Sequence, residues 1–559
     1  MKLKITRTLL ITTLMAMAGT ATQAATVTVT QLDDIDDFGG SRMIADLPGP
    51  DGLVSMREAV VAVNNTSGEH QIEFAIPVDP EDPSETMLRI DGPAFVVTRD
   101  NTTIDFLSQA AFIGEPDPDG PGLGILNTHP SYVGQPAILI NASDTEVRGL
   151  GQTQFRQSIS VVGGSGNRFV RNFTNSIELS PGSGSTTSGN IIGGIGVDDG
   201  NEIDSVSITC GANDNIVIGK VLESVGVAGS PSCAEGTRFP TGNWIGGPTP
   251  AERNVINDFS GTNGVGCPEG VGIDIQWARQ TTIEGNYIGL SSDGLSKQNA
   301  GRTGINLIES DDTVIQGNVI AGIRRSGVSG CADQLFGTAI FVSAFSRPTD
   351  GLIIEENIIG LDANGEQAIA TLEGIEILPQ PEPVLNVLIT NNTISQADRF
   401  GTLLEGSAVS AVEISENSIS GNGERGIVIS GGANGSPSIP GLDSGFSSTS
   451  GTTVSGQLPQ VPKSQFRIEV FANQECDASG FGEGETFLGS FIAEPDASGN
   501  AVLNETVPGQ TPEGWVVTAT ATNLSTNSTS EFSACAAVDS GAPVIFTDRF
   551  SQPTKTLNH

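Results

Sequence analysis

Short runs of alternating apolar and polar residues dominate the chain, and they recur in a fixed order. One run reads "TIEGNYIG", "VIQGNVIAG", "IIEENIIG", "LITNNTIS" and "EISENSIS", centred on Asn286, Asn318, Asn357, Asn392 and Asn417. Each has a branched apolar residue three positions before the Asn and an apolar residue two after it. The spacings between these Asn residues are 32, 39, 35 and 25. Weaker copies centre on Asn172, Asn190, Asn215 and Asn254. A second run precedes the first: "GIDIQ", "GINLI", "AIFVS" and "GIEIL". Two short strands repeating in one order, with insertions between them and no helical periodicity, predict a solenoid. The inward positions are aliphatic, so they can stack into a continuous core, as in a right-handed parallel β-helix. The recurring Asn suits a corner, because it tolerates left-handed backbone and its amide can bond to the Asn one coil away.

One segment breaks this pattern. "DGLVSMREAVVAVNN", Asp51 to Asn65, carries apolar residues Met56, Ala59, Val60 and Val63 on one helical stripe. Ser55 followed by Glu58 predicts a capping box, with Val54 and Ala59 placed as a hydrophobic staple. So short a helix is unstable alone. It is expected to plug the open N-terminal end of the solenoid, with "HQIEFAIP" as the first strand beyond it.

Past the last repeat, residues 431–455 read as a Gly/Ser-rich linker. "FRIEVFANQ", "ETFLGSFIAE", "NAVLNETV" and "EGWVVTATATN" then alternate as strands between turn signals, which predicts a β-sandwich over 456–538 with Trp515 in its core. At the other end, a basic start, an apolar run and a small-residue finish mark residues 1–24 as a signal peptide. The expected organisation is therefore signal peptide 1–24, cap segment and first strands 25–100, β-helix 101–430, linker 431–455, sandwich 456–538 and tail 539–559.

Charge narrows the partners. The chain holds 26 Lys+Arg against 65 Asp+Glu, a formal net charge of −39. That field repels nucleic acid, and no nucleic-acid partner is expected. The signal peptide predicts export, to the medium or the cell surface, with no transmembrane segment once it is removed, and the expected state is a monomer. Export permits disulfides. Of six Cys, Cys476 and Cys535 near the ends of the sandwich segment make the best pair; Cys210 with Cys233 and Cys267 with Cys331 are further pairings.

"SMREAV" followed by "HQIEFAIP" resembles the CSLREA segment that opens many secreted bacterial right-handed β-helix proteins. Val54 stands in place of its Cys and Met56 in place of its Leu. The Asn-centred coils resemble the same proteins. So does the Cys476–Cys535 segment, as an Ig-like module. The resemblance implies a fold and a compartment, and no single reaction.

Outward positions of the second run form a column of Asp274, Asn306, Phe341 and Glu376, joined by Gln276, Trp277, Glu309 and Asp311. Aromatics can stack on sugar rings while amides and carboxylates bind hydroxyls, so this strip is the candidate ligand surface. Arg279, Asp311 and Asp350 each lie seven residues before an Asn and predict a charged ladder. The clusters "DDIDD", "EPDPDG" and "DDGNEID" crowd oxygen ligands in a way compatible with calcium, but none has EF-hand or nonapeptide spacing. No metal or other cofactor is expected. No His-centred or Lys/Arg-centred catalytic set stands out. The expected activity is therefore non-catalytic binding of a polysaccharide, a cell-surface glycan or a neighbouring cell. The alternative is a polysaccharide lyase or glycoside hydrolase.

Overall fold

A computed structural model describes residues 25–77, 87–114, 123–132, 134–182, 185–196, 199–259, 270–323, 337–459 and 464–540. The signal-peptide expectation, Cys267, Cys331, "EPDPDG" and the tail beyond Ser540 lie outside them. The described chain divides into two compact units, one up to Gly322 and one from Ile323 on.

In the first unit, parallel strands stack coil upon coil, and each coil contributes to three faces. Val271–Gln276, Thr282–Glu284 and Tyr287–Ile288 make one coil. Their partners one coil on are Thr303–Ile308, Val314–Gln316 and Val319–Ile320, in parallel register. Inward residues are fully buried: Ile273, Ile275, Ile283, Ile288, Ile305 and Leu307 are all 0% exposed. This is the expected parallel β-helix. Branched aliphatic residues at alternate positions are what its interior selects, because each inward side chain packs on its equivalents above and below.

The recurring Asn residues sort into two corners. Asn254, Asn286 and Asn318 donate amide to amide along one, with Nδ2 to Oδ1 distances of 3.0 and 2.9 Å. Asn167, Asn190, Asn215 and Asn243 form the other, at 2.9, 2.8 and 3.1 Å. The weak copies at Asn172 and Asn254 therefore belong to a different corner from those at Asn190 and Asn215. The left-handed residue at the corner is not the ladder Asn. It is the residue before it, Gly285 (φ 67°) and Gly317 (φ 62°).

The helix Met56–Asn65 forms as expected. Ser55 Oγ accepts from Glu58 N at 3.1 Å, and a Glu58 carboxylate oxygen accepts from Ser55 N at 3.0 Å. Met56, Ala59, Val60 and Val63 are buried against strands Ala25–Val29, His70–Phe74 and Phe95–Val97. His70–Phe74 is the first strand beyond the helix, as expected, and it pairs in parallel with Ala25–Val29, which precedes the helix. Arg57 makes a bidentate contact with Asp34 at 2.7 Å through each nitrogen. Arg89 meets Asp33 at 2.8 Å and Arg42 meets Asp36, so three of the four "DDIDD" carboxylates face arginines.

The second unit repeats the coil plan. Thr338–Ala344, Glu373–Pro379 and Thr402–Glu405 stack on one face, and Asn357, Asn392 and Asn417 form their own amide ladder at 2.9 Å per step. The preceding Glu356, Asn391 and Glu416 take the left-handed corner conformation. A sandwich follows. One sheet holds Gly441–Ser448, Gly451–Leu458 and Ala501–Val507; the other holds Phe466–Asn473, Thr486–Ala493 and Val516–Asn523. Ala536–Ser540 pairs with a strand of each. Trp515 packs against the shared core.

This corrects the linker boundary. Residues 441–458 are two strands of the sandwich, although Gly and Ser dominate them. Backbone pairing on both sides supplies the order that their side chains do not, with Val454 and Leu458 pointing into the core.

Candidate functional site: a polar and aromatic strip on the coils

In the first unit, Asp274 and Asn306 are register partners on adjacent coils and both face outward. Asn306 Nδ2 donates to one Asp274 carboxylate oxygen at 2.7 Å, and Gln276 Nε2 donates to the other at 2.7 Å. Burial pushes the Asp274 carboxyl above its ordinary range, and the two amide donors oppose that rise. The trio is thus pre-oriented, and Asn306 and Gln276 each keep an amide oxygen available to a hydroxyl donor.

Beside it, the chain turns at Trp277, which holds a left-handed backbone (φ 52°). That turn lifts the indole out of the strand plane and stacks it on Phe239, with centroids 5.8 Å apart and planes 13° from parallel. Arg279 caps the other aromatic, its guanidinium carbon 3.9 Å from the Phe239 centroid. Arg279 is also paired with Asp311 at 3.3 Å, through the bridge that stacks these two residues. Phe239 arrives on the loop following the Cys210–Cys233 disulfide, whose Cα atoms are 5.5 Å apart. An amide–carboxylate trio next to a half-buried aromatic pair is a surface that can hydrogen-bond ring hydroxyls and cover a ring face.

The structure brings together Asp274, Gln276, Asn306 and Trp277, with Asp311 joined through Arg279. Glu309 is different: it is 2% exposed and lies inside the turn, not on the strip. Phe239 and Arg279's place on it were not part of the expected ligand surface. Arg279 was expected only in the charged ladder with Asp311, and the signal for Phe239 was the nearby cysteine pair, since residues 230–240 carry no repeat.

Phe341 and Glu376 face outward in the second unit and are register partners there. Thr338 Oγ1 donates to Glu376 at 3.0 Å. The residue that sequence reasoning missed is Glu373, which is 3% exposed and contacts Arg399. Its carboxyl is pushed up to about 8, first by burial and then by the charge and hydrogen bond of Glu376. Glu373 is therefore held largely protonated at neutral pH, and Arg399, which contacts it, opposes the rise. Asp350, expected in the charged ladder, accepts instead from Asn386 at 2.8 Å. Among the described residues no group of three or more His, Cys, Asp or Glu side chains is arranged to hold a metal ion. Arg324 and Arg325 lie outside the described residues.

No family model and no curated protein matches this chain. Among solved structures, it is similar to the Dettilon tailspike protein (gp208) at 12% identity, covering 86% of this chain and 93% of that one, with a TM-score of 0.36. It is also similar to the tailspike protein of E. coli bacteriophage HK620 in complex with pentasaccharide, at 10% identity over 84% and 90%, with a TM-score of 0.27. Likenesses this distant carry no functional argument, and the parallel β-helix stands on the strand pairings above.

Proposed function

We propose that this is an exported bacterial β-helix protein that binds a polysaccharide or cell-surface glycan without cleaving it. The observation that carries the reading is the Trp277–Phe239 stack beside the hydrogen-bonded trio Asp274, Gln276 and Asn306. Aromatic faces cover sugar C–H groups, and fixed amides and carboxylates select hydroxyls. Two disulfides, Cys210–Cys233 and Cys476–Cys535, fit an oxidising compartment. Among the described residues no helix is long and apolar enough to cross a membrane.

Glu373 and Glu376 are a poor hydrolytic pair. Retaining glycosidases hold their carboxyl groups about 5–5.5 Å apart and inverting ones hold them further still. Glu373 is 3% exposed and is turned to Arg399, so it presents no open face to a glycosidic oxygen or an attacking water.

The test is a polysaccharide panel read two ways, by affinity electrophoresis and by release of reducing ends or unsaturated product. The expected result is retardation by at least one polysaccharide with no product, and loss of retardation in Trp277→Ala by about tenfold or more, the worth of one stacked ring. Product formation would replace this reading with the hydrolase or lyase alternative, and unaltered binding by Trp277→Ala would remove the strip from it.

A further inference from the structure

The outward face that carries Asp274 continues over four more strands of the first unit. Register runs from Glu178 to Ser207, Ser207 to Gly226, Gly226 to Asp274 and Asp274 to Asn306. Glu178 and Asp274 thus stand three interstrand steps apart, about 14 Å, with only Ser207 and Gly226 in line between them. A Cβ added at Gly226 would meet nothing within 4 Å, so the face is open there. Glu223 lies three residues before Gly226, at the bend where the strand passes from pairing with Val255–Ile256 to pairing with Val271–Gln276. Asp204 sits one strand over, and Asp258 follows the short strand Val255–Ile256.

The neighbours of these carboxylates are mostly amides or other carboxylates. Glu178 accepts from Gln157, Asp258 accepts from Asn299 at 2.9 Å, and Asp274 accepts from Gln276 and Asn306. Burial pushes the Glu178, Asp204 and Glu223 carboxyls up, and the charges of Asp204 and Asp258 push Glu223 further. The arginine nearest the aromatic stack, Arg279, is already turned to Asp311 and to the Phe239 ring.

Resting on the glycan-binding reading above, we infer that the ligand is a glycan without carboxylate groups, so that uronate polymers are rejected. A uronate laid on the Trp277–Phe239 stack would bring its carboxylate within about a screening length of Asp274 and, along the chain, toward Glu223 and Asp204. Juxtaposed like charges disfavour such a contact, and Arg279, the arginine on the stack, is already paired with Asp311. Hydroxyls and acetamides meet no such barrier, and a protonated amine is attracted. The selectivity is electrostatic exclusion, and the attractive contacts are the ring stack and the amides.

The experiment is a glycan array of neutral, amine-bearing and carboxylate-bearing polysaccharides, probed with the mature chain. Hits are followed by calorimetry at low and high salt. Hits confined to neutral and amine-bearing polymers, with polygalacturonate and alginate at least about tenfold weaker, support the inference. Asp204→Asn combined with Glu223→Gln should then raise uronate binding while leaving neutral binding unchanged. Uronates binding as tightly as neutral polymers, or no gain in the double variant, would overturn the exclusion while leaving glycan binding intact. No hit of any class would overturn the glycan-binding reading and this inference with it.

Discussion

A single amide repeated at a corner explains much of the sequence. Asn286 donates to Asn318 Oδ1 at 2.9 Å and to the Ile245 carbonyl at 3.0 Å, and accepts from Asn254 Nδ2 at 3.0 Å, all while fully buried. Asn286→Ala strands each of those partners in a dry interior. The expected loss is about 2–4 kcal/mol, read as a fall in the urea midpoint of the first unit. Glu373 gives a second test at this scale. Its folded carboxyl is raised from 4.5 to about 8, so the fold binds a proton that the unfolded chain has lost across that window. Stability must then fall as pH rises from about 4.5 to about 8, and level off above it. Glu373→Gln removes the titrating proton, so its melting temperature should gain on the parent steadily between pH 5 and pH 8. Parallel pH profiles for the two proteins would show that Glu373 does not hold the proton.

At the scale of elements, a few side chains hold the closing pieces of each unit in place. At the start, the helix Met56–Asn65 depends on the reciprocal Ser55–Glu58 bonds. Ser55→Ala removes one and should cost about 1 kcal/mol, seen as earlier melting of the first coils in hydrogen exchange. Within the second unit, the sandwich supplies carboxylates to the last coil. Glu483 accepts from the backbone N–H of Gly421 and Asn422 at 2.6 and 3.1 Å. Glu531 accepts from Ile429 N at 2.8 Å and Glu469 from Glu416 N at 2.9 Å. An uncovered edge would offer those N–H groups to another chain. The helix was legible because its capping box and stripe are local. The acidic closure was not, because Glu469, Glu483 and Glu531 look like ordinary charges in strands and turns until the fold brings them to residues 53 to 102 positions away.

At the scale of the molecule, the described disulfides Cys210–Cys233 and Cys476–Cys535 tie loops that the repeats do not control. Cys476–Cys535 closes a loop of 59 residues inside the sandwich. By the chain-entropy estimate a loop of that size is worth about 4 kcal/mol. Cys476→Ser with Cys535→Ser should lower the sandwich melting temperature by that equivalent while the coil transition of the first unit stays in place. A shift of both transitions together would show that the two units unfold as one.

The chain's own pattern determined the coils, the buried aliphatic register, the cap helix and the outward placing of Asp274, Asn306, Phe341 and Glu376. These are consequences of periodicity and local capping, which act over a few residues and are written wherever the pattern is. Tertiary structure decided the rest. It put Phe239 on Trp277, buried Glu309 and Glu373, split the Asn residues between two corners, and turned the Gly/Ser-rich segment 441–458 into paired strands. Each of those depends on which coil or strand lies alongside, and that is fixed by insertion lengths and backbone pairing summed over the stack, not by any one stretch of sequence.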